Sequence, residues 1–139
     1  MRSHRCSLSI AALLALSVLA GCEQKQQVVP FRGKVLFKDQ PLASGSVMFQ
    51  PEGGIPARGT IGSDGTFTLT TYREGDGATV GKNKVRVVST SAVGGNASQG
   101  ELKTGESVIP ALYNDFSTTK LTVDVQPPGE EDAVLVLVE

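Results

Sequence analysis

The feature that most constrains this chain is an alternation of apolar and polar residues that starts at Phe31 and recurs almost to the end. Phe31, Gly33, Val35 and Phe37 alternate with Arg32, Lys34 and Lys38, the period-2 pattern of a half-buried strand. Asp39-Gln40-Pro41-Leu42 is a turn signal. Val47 and Phe49 then alternate with Ser46 and Gln50 until Pro51-Glu52-Gly53-Gly54 stops the run. Ala57 to Ile61 reads as a short strand. Ser63-Asp64-Gly65 reads as a tight turn, because Asp and Gly tolerate the positive φ that a hairpin demands. Phe67 and Leu69 follow, with Thr66, Thr68 and Thr70 on the opposite face. Lys84 to Thr90 repeats the pattern with Val85 and Val87 inward. Leu121, Val123 and Val125 form another strand, and Val134 to Val138 a last one.

That makes about seven short strands, and after Phe31 no window repeats apolar residues at helical spacing over two turns. The Val and Thr content and the 16 glycines agree with this. Each strand needs its apolar face covered, and a second sheet supplies the cover. The expected fold is therefore an all-β sandwich, with a small barrel as the alternative.

The first 22 residues are written differently. Arg2 and Arg5 precede an apolar run from Leu8 to Leu19, and small residues lead to Cys22, the parts of an export signal. Leu19-Ala20-Gly21-Cys22 resembles the bacterial lipobox. The resemblance implies cleavage between Gly21 and Cys22 and acylation of Cys22 by three chains, palmitate among them. The competing reading is an anchor that stays attached. The run is about a dozen residues against the roughly 20 needed to span hydrocarbon, and polar Glu23 to Gln27 follows at once. Buried acyl chains contribute about 0.8 kcal/mol per methylene, so the lipid on Cys22 would hold the protein firmly to a membrane. Glu23 is not the aspartate that favours inner-membrane retention in enterobacterial lipoproteins. By resemblance to that rule, the outer membrane is favoured over the inner.

These features divide the chain into a signal (1–21), a lipidated cysteine with a polar tether (22–27) and one domain (28–139). Cys6 leaves with the signal and Cys22 carries lipid, so the mature domain is expected to hold no disulfide. His4, the one histidine, leaves too, which excludes zinc sites of the Cys/His type. Loss of Arg2 and Arg5 moves the formal charge from −1 to about −3. That balance argues against nucleic acid as a partner.

A second resemblance rests on Phe31-Arg32-Gly33-Lys34-Val35, Pro41-Leu42, Val47-Met48-Phe49 and Asp64-Gly65-Thr66-Phe67-Thr68-Leu69. Together these resemble the carboxypeptidase regulatory-like domain, which implies a seven-stranded, transthyretin-like sandwich. Thr70 to Ala78 and Ile109-Pro110-Ala111-Leu112-Tyr113 resemble small bacterial lipoproteins built on that domain. Two departures stand out. Thr79-Val80-Gly81 lies where that group has proline before the glycine, and Ser91 to Ser107 is a Gly/Ser/Asn-rich insertion. The insertion has little apolar surface to offset the entropy of ordering it, so it is expected to be a mobile excursion. Gly33 is expected to let a side chain from the other sheet cross the strand.

No catalytic residue is expected. Gly75-Asp76-Gly77-Ala78-Thr79-Val80-Gly81 has the glycines of a phosphate loop, but the third comes one place late and no helix follows. The usual general base, histidine, is missing from the mature domain. The family resemblance carries no catalytic residue onto this chain. Asp64, Glu74, Asp76 and Asp115 in loops suit calcium in type, yet no EF-hand spacing joins them. Asn96-Ala97-Ser98 fits a glycosylation sequon and here marks a loop. No cofactor and no metal are expected.

Two function classes remain. One is a non-catalytic, monomeric envelope module that binds another protein or organises the surface. The other is a carbohydrate or small-ligand module. Sugar platforms use exposed aromatics, and with no Trp in the chain only Tyr72 and Tyr113 qualify. The first class is favoured.

Overall fold

The computed structural model describes residues 26–91 and 105–139. The signal at 1–21, the cleavage site Gly21/Cys22, the lipid site Cys22 and the excursion's interior at 92–104 lie outside the described residues. Ten strands run β1 Val28–Val29, β2 Phe31–Phe37, β3 Gln40–Pro41, β4 Gly45–Pro51, β5 Ala57–Ile61, β6 Thr66–Thr68, β7 Ala78–Thr79, β8 Gly81–Val88, β9 Thr122–Val125 and β10 Glu130–Leu137. One 3-10 turn, Ala111–Asn114, lies between β8 and β9. Among the described residues no helix is long and apolar enough to cross a membrane.

Strand β2 is the spine of the first sheet. It pairs parallel with β10 on one side, and antiparallel with β6 and β3 on the other. The second sheet is antiparallel throughout, in the order β5-β4-β8-β9. Strands β1 and β7 make a small third ladder where the chain enters. The architecture is all-β, and the two four-stranded sheets share one apolar cluster, as in a β-sandwich. Phe31 and Val35 (β2), Phe67 (β6) and Leu135 and Leu137 (β10) face Val47 and Phe49 (β4), Val85 and Val87 (β8) and Val125 (β9). Phe31 and Phe49 meet across the sheets with ring centroids 5.0 Å apart, and Phe67 lies 6.4 Å from each. Aromatic contacts at this spacing add to the stabilisation from area burial.

Seven strands have three or more residues, and three have only two. The short ones carry no period to read. In β3 the pairing comes from a two-residue hairpin in which Lys38 (φ 52°) and Asp39 (φ 60°) both take positive φ, the geometry whose twist matches the strands it joins. Strand β8 starts three residues before the pattern predicts, because Asn83 faces inward fully buried. Its Nδ2 donates to the carbonyls of Thr79 (2.9 Å) and Gly81 (2.7 Å). Strand β10 also starts early, with three exposed acids, Glu130, Glu131 and Asp132.

Gly33 has a different neighbour from the one its sequence context suggests. A Cβ there would stand 2.5 Å from the Ala133 carbonyl oxygen and 3.0 Å from Phe67 Cζ. Both belong to the same sheet as Gly33, on the parallel β10 and on β6. The register irregularity between Glu130 and Ala133 lies beside this contact. Strand pairing, and not a crossing from the other sheet, is what requires glycine.

The excursion leaves and returns through a pinned neck. Thr90 bridges Ser107, Ser91 N–H donates to Glu106 (2.8 Å) and Val108 N–H to Ser89 (3.0 Å).

Candidate functional site

Strands β5 and β6 form a hairpin through Ser63-Asp64-Gly65. At its open end Arg58 and Thr70 exchange both backbone hydrogen bonds (2.9 and 2.8 Å); at the turn Gly62 N–H donates to Thr66 (2.8 Å). The ladder's alternation makes Thr60 and Thr68 the next exchanging pair. They form no bridge among the described residues, because β5 turns to β4 and β6 turns to β2. The Thr68 carbonyl oxygen lies 2.8 Å from where a Gly59 Cβ would stand. The two sheets are therefore joined at Arg58–Thr70 and part beside Thr60 and Thr68. Over this parting lies an open groove of about 860 Å³, lined in part by Arg32, Met48, Arg58, Thr60, Thr68 and Glu74.

The cations of this face form a row across the strands. Arg32 is paired with Thr68, Arg58 bridges Thr70, and Met48 stands between Arg58 on one side and Arg86 on the other. Arg86 is half-buried, with its guanidinium 5.2 Å from the Phe116 ring centroid and Nη2 3.9 Å from Met48 Sδ. Such stacking fixes a guanidinium without neutralising it. Among the described residues the one ion pair is Lys38 with Glu139, so Arg32, Arg58 and Arg86 have no carboxylate within salt-bridge distance. Glu74 is the one acid lining the groove, and Asp115 lies near Arg86.

The threonines divide by task. Thr66 Oγ1 donates to Asp64 (2.6 Å), and Thr70 Oγ1 accepts from Gly75 N–H (3.0 Å). Thr60 and Thr68 make no side-chain hydrogen bond among the described residues and present their hydroxyls outward. The groove thus offers two guanidiniums and free hydroxyls, a surface rich in hydrogen-bond donors. It is equipped to hold an anion.

Of the four loop acids, Asp64, Asp76 and Asp115 are occupied locally, and Glu74 lines the groove. Asp76 accepts backbone N–H bonds from Thr71 (2.7 Å), Tyr72 (3.0 Å) and Arg73 (2.9 Å). Burial opposes its ionisation, but the amides of Thr71, Arg73 and Tyr72 outweigh that and hold its carboxyl below the usual range. The Thr66 hydroxyl and amide lower Asp64, and those of Ser117 lower Asp115. Among the described residues no three Cys, His, Asp or Glu side chains stand close enough to share a metal ion. The Gly75 to Gly81 segment, expected to be a turn, is one only up to Gly77, where the chain folds around Asp76; Ala78–Thr79 forms β7, and Gly75, Gly77 and Gly81 all take positive φ.

The two tyrosines part company. Tyr72 is exposed. Tyr113 is buried, and its hydroxyl accepts from Val138 N–H (3.0 Å) and donates to Val138 C=O (3.2 Å). It latches the 3-10 turn to the end of β10 and offers no face for stacking. Neither lines the groove. The groove arginines lie at outward positions that the strand pattern assigns to solvent. What marks them in the sequence is that Arg32, Lys34, Arg58, Lys84 and Arg86 all fall on that face while most acids fall in turns. No family model, curated protein or solved structure matches this chain.

Proposed function

We propose that this chain is a non-catalytic, lipid-anchored module of the bacterial cell envelope. It is cut between Gly21 and Cys22, acylated on Cys22 and carried on the outer membrane. Residues 28–139 form a transthyretin-like sandwich of the carboxypeptidase regulatory-like kind, working as a monomer that displays a binding surface. The observation that carries the binding role is the groove beside the β5–β6 hairpin, where Arg32 and Arg58 stand without ion-pair partners among the described residues. An exposed guanidinium row fixed on a rigid sheet serves recognition better than stability, since such charges contribute little to folding. Support for the anchor comes from the lipobox resemblance and from the tether leading into β1.

The test is the mass and phase behaviour of the full chain in a bacterial host. The expected product starts at Cys22, carries acyl chains and partitions into detergent. Cys22→Ser is expected to leave an uncleaved, unacylated precursor. A mature wild-type protein with no lipid, or one starting at another residue, overturns the anchor.

A further inference from the structure

We propose that a linear, carboxylate-bearing polysaccharide lies across the strands, in the groove at Arg32 and Arg58 and on past Met48 at its rim to Arg86. This names the ligand class for the binding surface just proposed and rests on that reading. Adjacent strands are about 4.8 Å apart, so Arg58 and Arg86, separated by Met48 on β4, stand about 10 Å apart. Arg32 and Arg58 flank the Thr68–Thr70 segment and are likewise two strand spacings apart, about 10 Å, with a further offset along the strand. The charges therefore recur at roughly the length of two sugar residues. A single small anion would meet one guanidinium, whereas a polymer meets all three.

The chemistry between the charges points to sugar. Thr60 and Thr68 supply exposed hydroxyls, each both donor and acceptor, beside the guanidiniums. A hydroxyl-bearing chain needs both, because each hydroxyl donates and accepts. Arginine at all three positions suits a planar carboxylate, which it grips through two parallel hydrogen bonds. Stacking platforms are not used here, so charge replaces the aromatic contact that neutral sugars rely on. An acidic peptide fits less well. Peptides that join a sheet need a free run of edge, whereas β5 and β6, each an edge strand of its own sheet, are tied to each other at Arg58–Thr70 and at the Gly62–Thr66 turn.

The test uses the full acylated chain in detergent micelles, titrated with polygalacturonate and with its methyl ester, which keeps the backbone but masks the carboxylates. The expected result is binding to the acid form that falls steeply with salt and is absent for the ester. Arg32→Gln and Arg58→Gln are each expected to weaken it at least about tenfold, the scale of one lost charged hydrogen bond. Arg58→Lys is expected to recover only part, because an ammonium lacks the planar fork. Unchanged thermal unfolding of each variant shows that the loss is in the groove. Equal binding of the ester, no effect of either glutamine variant, or tighter binding to polyphosphate or phosphatidylglycerol vesicles overturns the proposal. Failure on a chain whose Cys22 is acylated overturns the ligand class alone. An unacylated Cys22 overturns the anchor and leaves the titration readable.

Discussion

The two faces of the same strands do different work. On β2, Phe31 and Val35 point into the shared core while Arg32 and Lys34 point out; on β4, Val47 and Phe49 point in while Ser46 and Met48 point out. The inward side chains touch partners from the opposite sheet, so each is fixed by several neighbours. The outward arginines touch almost nothing charged. Inward residues hold the fold and outward ones are free to serve a ligand. The outer faces also differ from each other. Across the first sheet, Val134 and Val136 of β10 stand exposed beside Lys34 and Leu36 of β2, so the cationic row ends where the valines begin.

The comparison breaks most sharply at Phe67. Its ring is 3% exposed, lies over Gly33 and touches both other core phenylalanines. Phe67→Ala is expected to cost about 3–5 kcal/mol in denaturant unfolding, as lost transfer energy plus a cavity. A cost below about 1 kcal/mol would show that the inner face is not closed there.

A smaller effect is expected at Asp76, which lies in a loop yet acts on the fold. Replacing it with Asn leaves one acceptor oxygen for three amides, and about 1–2 kcal/mol is expected to go at neutral pH. The folded carboxyl ionises below its ordinary value near 3.9, so its contribution is present above that pH and lost as pH falls through the folded value. The stability gap between wild type and Asp76→Asn is therefore expected to be flat above about pH 5 and to shrink below about pH 4. A gap that persists at low pH would mean that the charge is not what the amides hold.

Asp76 also marks where the sequence stops being legible. Phe31 to Phe37, Gly45 to Pro51 and Ala57 to Ile61 were readable because burial of one face writes a period of two. The Asp64-Gly65 turn was readable because its chemistry is local: Asp64 accepts from Thr66 two residues on (3.1 Å). Asp76 bonds amides three to five residues before it, and no short motif announces that. Strands β1, β3 and β7 escaped because two residues show no period. Asn83 broke the apolar alternation of β8, and its amide nitrogen donates to the Thr79 and Gly81 carbonyls just before it. The groove was hidden for a further reason. Its residues follow the strand rule, and only the register that sets Arg32, Thr68, Thr70 and Arg58 side by side turns separate solvent-facing residues into one surface.

The smallest expected effect on stability belongs to those arginines, and it is the sharpest test of the division between faces. Arg58 lies at an outward position of β5 and makes no ion pair among the described residues. Truncating it removes no buried group and leaves no orphaned partner, since Thr70 bonds it through the backbone alone and Met48 is only its ladder neighbour. Nearby cations on the same face, Arg86 and Arg32, repel it slightly, so its removal relieves as much as it costs. Arg58→Ala is therefore expected to change unfolding free energy by no more than about 0.5 kcal/mol. Arg86→Ala is expected to cost more, because its guanidinium packs on Phe116 and Met48. A large loss at Arg58 and none at Arg86 would reverse this order. The outer row would then be part of what holds the two sheets together at the hairpin.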